Sequence, residues 1–422
     1  MGFADLYFSK QKGFKPFFSG DPSEKLRYIV VIPAYCEPDL LHALDSLLKC
    51  EHPKGHMEVI VVLNMPENAD QVVVDTTRIT SAATSQWIHK HSTPEFRFLL
   101  LEELKMPVKD AGVGLARKTG MDQALYRFNL INSGGGCILS FDADSLCDPN
   151  YFTSIEETLM KNPQTRGFNL YFEHPLSGPE PEAIYRGIAG YELHLRCMNL
   201  FIRFTGFPHA FHTVGFCFGV RADAYAREGG MNKKKAGEDF YFLHKIIPLG
   251  EFREINSTCV MPSPRESTRV PFGTGAAMHK YLTSEKQVIL TYAPACFQAL
   301  RSFFMFSGSL YNMNQDVTDS LINTMPEPLR IFLHNIQAMD AIREIKANAG
   351  SLKTFTNRFF RWFDAFRIIK YLNYASQHGF NQVPVGQAVK EYLQEAGWPV
   401  PPENTEDVEL LYRLREIERS RV

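Results

Sequence analysis

From Leu26 onward, short unbroken apolar runs alternate with stretches whose apolar positions recur every three or four residues. Residues 28–33 (YIVVIP) and 57–63 (MEVIVVL) are apolar almost throughout, as expected of strands buried on both faces. Residues 96–101 and 137–141 predict a third and a fourth strand. Between these runs, residues 39–49 put Leu40, Leu41, Leu44, Leu47 and Leu48 on one side of a helix. Val113, Ala116, Gly120, Met121, Ala124, Leu125, Phe128 and Ile131 keep the same spacing and predict a second helix. Strands alternating with helices predict an α/β fold, a mostly parallel sheet with helices on both faces. Sheets of this kind bind ligands beyond the carboxyl ends of their strands, which directs attention to the loops after the predicted strands.

The pattern changes after about residue 282 and is helical from there on. The expected organisation is therefore an N-terminal extension (1–25), an α/β domain (26–282) and a C-terminal helical region (283–422). Phe355, Phe359, Trp362, Phe363 and Phe366 form an aromatic stripe flanked by Lys353, Arg358, Arg361, Arg367 and Lys370. Such a stripe suits either an anionic membrane surface or a helix packed in a core, and cores are its commoner use. Residues 196–211, aromatic with two arginines, are a candidate acceptor loop.

Composition narrows the classes. The 422 residues carry a formal net charge of −2, so no global charge recruits nucleic acid. No window reaches the apolar length of a membrane span, and the first residues lack the apolar stretch of a signal peptide. The eight cysteines are scattered without a Cys-x-x-Cys pair, as in a reducing compartment. These features predict a cytoplasmic protein, with peripheral contact at the inner face of the membrane as the one membrane role left open.

Four short motifs carry candidate chemistry. Phe141-Asp142-Ala143-Asp144 closes the fourth predicted strand. Two carboxylates one residue apart, where a buried strand opens into a loop, reach one divalent ion, and hard oxygen donors suit Mn2+ or Mg2+. A solvated loop with two neighbouring acids is the plain alternative, and the position after an apolar strand weighs against it. Residues 236–240 (AGEDF) open a helical run through Tyr241, Leu243 and Ile246. Acids there suit the helix dipole and are accounted for by capping alone, but a carboxylate at that place also offers a general base. Gly112 and Gly114 precede a helix whose first turns carry Arg117 and Lys118, an arrangement that suits a diphosphate. Residues 33–37 (PAYCE) put an aromatic and an acid after the first strand, where a base and ribose can rest.

In order and spacing, residues 31–37, Gly114-Leu-Ala-Arg117, Asp142-Ala-Asp144 and Glu238-Asp239 resemble the inverting family 2 glycosyltransferases of the GT-A fold, over about residues 26–282. The resemblance implies metal-dependent, hexosyltransferase-type transfer from a nucleotide-diphosphate sugar, UDP- or GDP-linked, to a carbohydrate or lipid-linked acceptor. It implies Asp142 and Asp144 as ligands of Mn2+ or Mg2+, Asp142 also facing the donor, and Asp239 as catalytic base with Glu238 beside it. Pro33, Tyr35 and Glu37 correspond to the nucleotide-contacting loop, and Gly114 and Arg117 to the helix start near the diphosphate. Residues 212–225 and Gly229-Gly230-Met231 resemble the small-residue strand and turn ahead of the base.

Two positions depart from the family pattern. Asn64 stands where an acid pair is frequent, leaving it only hydrogen bonds to offer a base, and Lys118 holds a place often taken by asparagine. Arg265 and Arg269, in a Pro- and Gly-bounded loop (262–275), are expected to close over the donor diphosphate. His279 is left outside the metal set.

Other classes fit less well. A nucleotidyltransferase is expected to carry a Gly- and Arg-rich loop after its first strand, and residues 33–39 have none. A Rossmann oxidoreductase is expected to carry Gly-x-Gly-x-x-Gly there. A sugar-nucleotide-binding scaffold without turnover and a transferase that retains configuration both stay open.

Overall fold

The computed structural model describes residues 2–267 and 273–421. Its main sheet is built from β1 (Leu26–Ala34), β2 (His56–Pro66), β3 (Phe96–Met106), β4 (Cys137–Ser140), β5 (Leu146–Cys147), β6 (Gly167–Phe172), β7 (Phe218–Arg221) and β8 (Phe252–Met261). Their spatial order is β3-β2-β1-β4-β7-β6-β8-β5. The pairs β2–β3, β1–β2, β1–β4 and β6–β8 are parallel, while β4–β7, β6–β7 and β5–β8 are antiparallel. The fold is thus α/β with a mostly parallel sheet. From β1 the chain winds outward through β2 and β3, then returns to pair β4 on the other side of β1. The switch point between β1 and β4 opens the crevice in which such sheets place ligands.

The helices in chain order are α1 (Asp5–Lys10), α2 (Leu40–Leu48), α3 (Gln71–His91), α4 (Val113–Leu130), α5 (Tyr151–Lys161), α6 (Glu182–Phe204), α7 (Ala222–Arg227), α8 (Glu238–Ile246) and α9 (Thr274–Thr283). They are followed by α10 (Pro294–Phe304), α11 (Gln315–Asn323), α12 (Glu327–Asn335), α13 (Ala338–Ala347), α14 (Leu352–Trp362), α15 (Ala365–Gln377), α16 (Val385–Glu395) and α17 (Asp407–Arg419). The C-terminal region is helical as expected, apart from a two-residue antiparallel pair joining residues 290–291 to 383–384.

By packing, the chain forms two units. The first comprises Met1–Gly178, Thr213–Ala277 and Glu418–Val422, and the second Pro179–His212 and Met278–Ile417. The first holds the whole sheet. β1 is buried along its length except at Arg27, which explains its unbroken apolar run. α4 lies directly on the sheet because Gly120 has no side chain: a Cβ there would stand 2.5 Å from Val31 Cγ1 and 2.8 Å from Val62 Cγ2. The N-terminal stretch is docked into the same unit. The Tyr7 and Tyr225 hydroxyls donate to Asp122 Oδ1 at 2.6 and 2.7 Å, and Lys118 Nζ donates to Asp122 Oδ2 at 2.7 Å. Burial first, and the Asp122 charge second, push the Tyr7 hydroxyl far above its ordinary range, so it stays a donor.

In the second unit the aromatic stripe turns inward. Phe355, Phe359 and Phe363 are fully buried and meet the rings of Tyr311, Phe303 and Phe304. Ser351 caps α14 and Asp364 caps α15 through their side chains. Arg196, expected in an acceptor loop, is instead buried within α6 beside Glu192. Arg415 of α17 makes a two-pronged contact with the same carboxylate, Nε to Oε1 and Nη2 to Oε2, each at 2.8 Å. The helical pattern continues through residue 204, and a carboxylate four residues before Arg196 makes it a core ion pair rather than a loop cation.

Candidate active site

The loops after β1, β4 and β8 and the start of α8 lie in the first unit, and two arginines organise them. Arg117, in the second turn of α4, is fully buried. Its Nη2 donates to Asp142 Oδ1 at 2.6 Å, and its Nη1 forms a tight ion pair with Glu238 Oε1. Burial opposes the charge on Arg117, but Glu238, Asp142 and Asp239 outweigh it and hold its pKa above the ordinary value. One guanidinium therefore ties the loop after β4 to the first turn of α8.

The approach of α4 to α8 requires glycine. A Cβ on Gly114 would fall 1.9 Å from the Lys234 carbonyl oxygen and 3.1 Å from Glu238 Cβ. Gly112 similarly faces the Lys235 backbone, at 3.3 Å. These glycines have a packing role independent of any anion. Lys118 departs from the reading that paired it with Arg117: it turns to Asp122 and the Tyr7 hydroxyl instead.

Asp239 sits beside this pair. Its Oδ1 accepts from the Phe240 N–H at 2.7 Å. A Cβ on Gly215 would stand 3.1 Å from Asp239 Oδ2 and 2.9 Å from Arg117 Nη1. Ser140 Oγ, at the end of β4, donates to the Gly215 carbonyl at 2.6 Å and fixes this segment. Desolvation by the surrounding protein, then the neighbouring Glu238 charge, raise the Asp239 carboxyl from 3.8 to about 7 against the pull of Arg117. Part of Asp239 nonetheless remains open to solvent, so a hydroxyl can reach it. Burial also raises Glu238, opposed by Arg117.

The second organiser is Arg265, after β8. Its Nη1 donates to Asp39 Oδ2 at 2.9 Å, and its Nη2 pairs tightly with Glu37 Oε2 and more distantly, at 3.4 Å, with Asp144 Oδ2. Glu37 Oε1 also accepts from the Asp39 N–H at 3.1 Å. Asp142 and Asp144 thus engage different arginines. Both are partly exposed, and among the described residues no three His, Cys, Asp or Glu side chains are arranged to hold a metal ion. The acids amount to a two-carboxylate, oxygen-only set, the kind on which Mg2+ or Mn2+ completes its shell with phosphate oxygens and water. The donor chemistry fits such an ion.

Pro33 is inside β1, opposite Val62 of β2. The ladder from β1 to β4 has already ended at Val31, so the missing N–H costs no bond on that side. Tyr35 is half-buried in the loop beyond. Cys36, with φ of 46°, takes a left-handed conformation unusual for a side-chain-bearing residue. Asn64 is buried near the end of β2, and no described contact brings it into either arginine cluster. Arg269 lies outside the described residues. His279 is exposed on α9. Sequence reasoning missed Asp39, Gly215 and Ser140. The signal for Asp39 was present, since Glu37-Pro-Asp39 repeats the carboxylate spacing of Asp142-Ala-Asp144.

No family model matches the chain, and no curated protein matches it either. Among solved structures it is similar to S. aureus TarS 1–349, with 14% identity over 81% of this chain and 91% of that one, at a TM-score of 0.40. The complex of TarS 1–349 with UDP-GlcNAc gives the same identity and TM-score, with 92% of that chain covered. It is also similar to the mannosyltransferase PcManGT from Pyrobaculum calidifontis in complex with GDP-Man and Mn2+, with 15% identity over 88% of this chain and 92% of that one, at a TM-score of 0.37.

Proposed function

We propose that this chain is a glycosyltransferase of the GT-A type, in the manner of family 2, moving a sugar from a nucleotide-diphosphate donor to an acceptor hydroxyl with inversion. Residues 26–282 are the catalytic region in this reading. The observation that carries it is the buried Arg117, which joins Asp142 at the end of β4 to Glu238 in α8 and leaves Asp239 beside them, partly open.

Asp239 is the general base. It takes the proton of the acceptor hydroxyl while that oxygen bonds to the anomeric carbon and the bond to the leaving diphosphate breaks. A carboxyl held at about 7 accepts a proton near neutrality far better than an ordinary aspartate, which is the condition for general-base catalysis. Glu238 is a positioning residue, engaged with Arg117. Asp142 and Asp144 would hold Mn2+ or Mg2+, which when bound neutralises diphosphate charge. Arg265 supplies further cationic charge on the donor side, a role the sequence reading also gave to Arg269, and Pro33, Tyr35, Glu37 and Asn64 border the nucleotide. The eight free thiols suit a cytoplasmic setting.

The test is a thermal-shift panel of UDP-, GDP-, CMP- and dTDP-sugars with and without Mn2+. Metal-dependent stabilisation by one nucleotide class is the expected result, because a ligand that binds only the native state raises its stability. No shift with any of them would refute the donor site. The anomer of the product, read by NMR, then separates inversion from retention, and a retained anomer removes the base role from Asp239.

A further inference from the structure

Cys50 and Cys147 are 97 positions apart in sequence, yet their sulfurs stand 3.5 Å from each other, both buried and both free. Cys50 follows α2, its N–H donating to the Leu47 carbonyl at 3.2 Å, and Cys147 is the second residue of β5. Short bonds hold the two segments together around the pair. The Cys147 N–H donates to Ser46 Oγ at 2.9 Å, and the Glu51 N–H donates to the Pro149 carbonyl at 2.8 Å. The Cys50 sulfur also lies 3.4 Å from the Ser46 carbonyl oxygen and 3.6 Å from that of Asp148.

Tyr151 is fully buried, and its hydroxyl has no hydrogen-bond partner. Burial, then the Cys147 and Cys50 sulfurs, push that hydroxyl well above its ordinary range, so it lies near both sulfurs and stays a donor. A buried donor without an acceptor is costly, and an oxygen atom carried by either sulfur supplies one. Access comes from the sheet edge. β5 is two residues long, outermost in the sheet, and paired with β8 through Leu146–Met261 and Cys147–Val260, with Leu146 exposed. Edge elements of this size open locally at little cost. While β5 is closed, the hydrogen bond with Cys50 and then burial hold the Cys147 thiol well above its usual range and unreactive. Opening removes both restraints.

We propose that Cys50 and Cys147 are a redox site that forms a reversible disulfide on exposure to a hydroperoxide. With β5 open, the Cys147 sulfur attacks the O–O bond and becomes a sulfenic acid, and its proton leaves with the alcohol or water released. When the strand closes, the Cys50 sulfur attacks that sulfur. The S–S bond forms, and the sulfenic hydroxyl departs with the Cys50 proton as water. The two thiols together lose two electrons and two protons, and the hydroperoxide is reduced. A disulfide is about 2.05 Å long, so the sulfurs close by about 1.5 Å from their present contact. A small dithiol reverses the reaction by exchange. The bond ties the segment after Glu37 and Asp39 to the segment after Asp142 and Asp144. It needs no sugar donor, and stands apart from the glycosyltransferase reading.

The test is treatment of the native full chain with hydrogen peroxide, followed by alkylation of the remaining thiols in denaturant and peptide mapping without reduction. The expected result is the loss of the Cys50 and Cys147 thiols together, one linked peptide joining these two positions, and recovery of both thiols with dithiothreitol. Cys36, which is less buried than the other cysteines, reports that the oxidant has acted. Three results would overturn the proposal. The first is full alkylation of Cys50 and Cys147 under conditions that oxidise Cys36. The second is a bridge from either one to a different cysteine. The third is oxidation of the buried Cys137 and Cys197 at the same rate as the pair, because the reaction would then run through unfolding of the whole chain.

Discussion

Replacing Asp239 by asparagine is expected to stabilise the free protein while disabling it, and to do so more at high pH than at low pH. The Asp239 carboxyl is raised from 3.8 to about 7 in the folded chain. Below pH 3.8 both folded and unfolded states carry the proton and nothing is gained or lost. Between the two values only the folded state holds it, and stability falls as pH rises until Asp239 ionises near 7. Integrated from pH 5 to pH 8, the loss is about 2.5 kcal/mol. Solvent at the partly exposed carboxyl reduces this to about 1–2 kcal/mol. Asparagine does not titrate, so it escapes this loss, of which the repulsion from Glu238 is already a part. The attraction to Arg117 acts only on the ionised form and is already contained in the value near 7, so losing it adds no separate cost.

Melting curves of the wild type and Asp239→Asn at pH 5 and pH 8 measure the effect. The difference between the two proteins should shift in favour of the variant by about 2 °C or more on going to pH 8, while sugar transfer at pH 8 falls by roughly 10²-fold with donor affinity almost unchanged. A difference in melting temperature that is the same at both pH values would refute the reasoning, because the carboxyl would then not be changing charge in that range.

Asp144→Asn should weaken Mn2+-dependent donor binding in calorimetry and leave metal-free binding unchanged; equal affinity with the metal present would sink the metal assignment. Glu192→Ala leaves Arg196 and Arg415 buried without their shared carboxylate and should cost about 3–5 kcal/mol in denaturant unfolding. A variant as stable as the wild type would show that the triad contributes nothing. Gly114→Ala places a Cβ 1.9 Å from the Lys234 carbonyl oxygen, forces α4 away from α8, and should cost about 1–3 kcal/mol. It should also lower transfer with little change in donor affinity, and full activity would mean that the Arg117–Glu238 tie is not needed.

The α/β fold was legible because the strands on both sides of the switch point, β1 and β4, are apolar runs whose burial follows directly from composition. The end of β4 and the start of α8 were legible for the same reason, as they lie where apolar periodicity stops and acids begin. α3 went unread. Over Gln71–His91 its apolar residues are diluted by threonine and serine, and only Thr77 and Thr84 are buried, so it presents no stripe. The grouping of 179–212 with the C-terminal helices was equally invisible, since contacts between residues such as Glu192 and Arg415, 223 positions apart, leave no local signature.

The charges at the site teach a narrower lesson. Sequence supplied a set of acids and a set of cations, and proximity along the chain suggested that Arg117 and Lys118 act together. On a helix, however, successive residues point about 100° apart, so Arg117 faces Glu238 and Asp142 while Lys118 faces Asp122. Arg265 is 226 residues from Asp39 and 228 from Glu37, and its partners become apparent only once β1 and β8 are placed in one sheet. The two arginines have different surroundings. Arg117 is buried, and moving it would strip Glu238 and Asp142 of their counter-charge, a cost characteristic of a fixed strut. Arg265 is less enclosed and spreads its contacts over three acids, so it can exchange one of them for a phosphate oxygen at smaller cost. Under the proposed function, Arg265 is therefore the cation expected to move toward the donor diphosphate, and Arg117 the one expected to keep Asp142, Glu238 and Asp239 in register while it does.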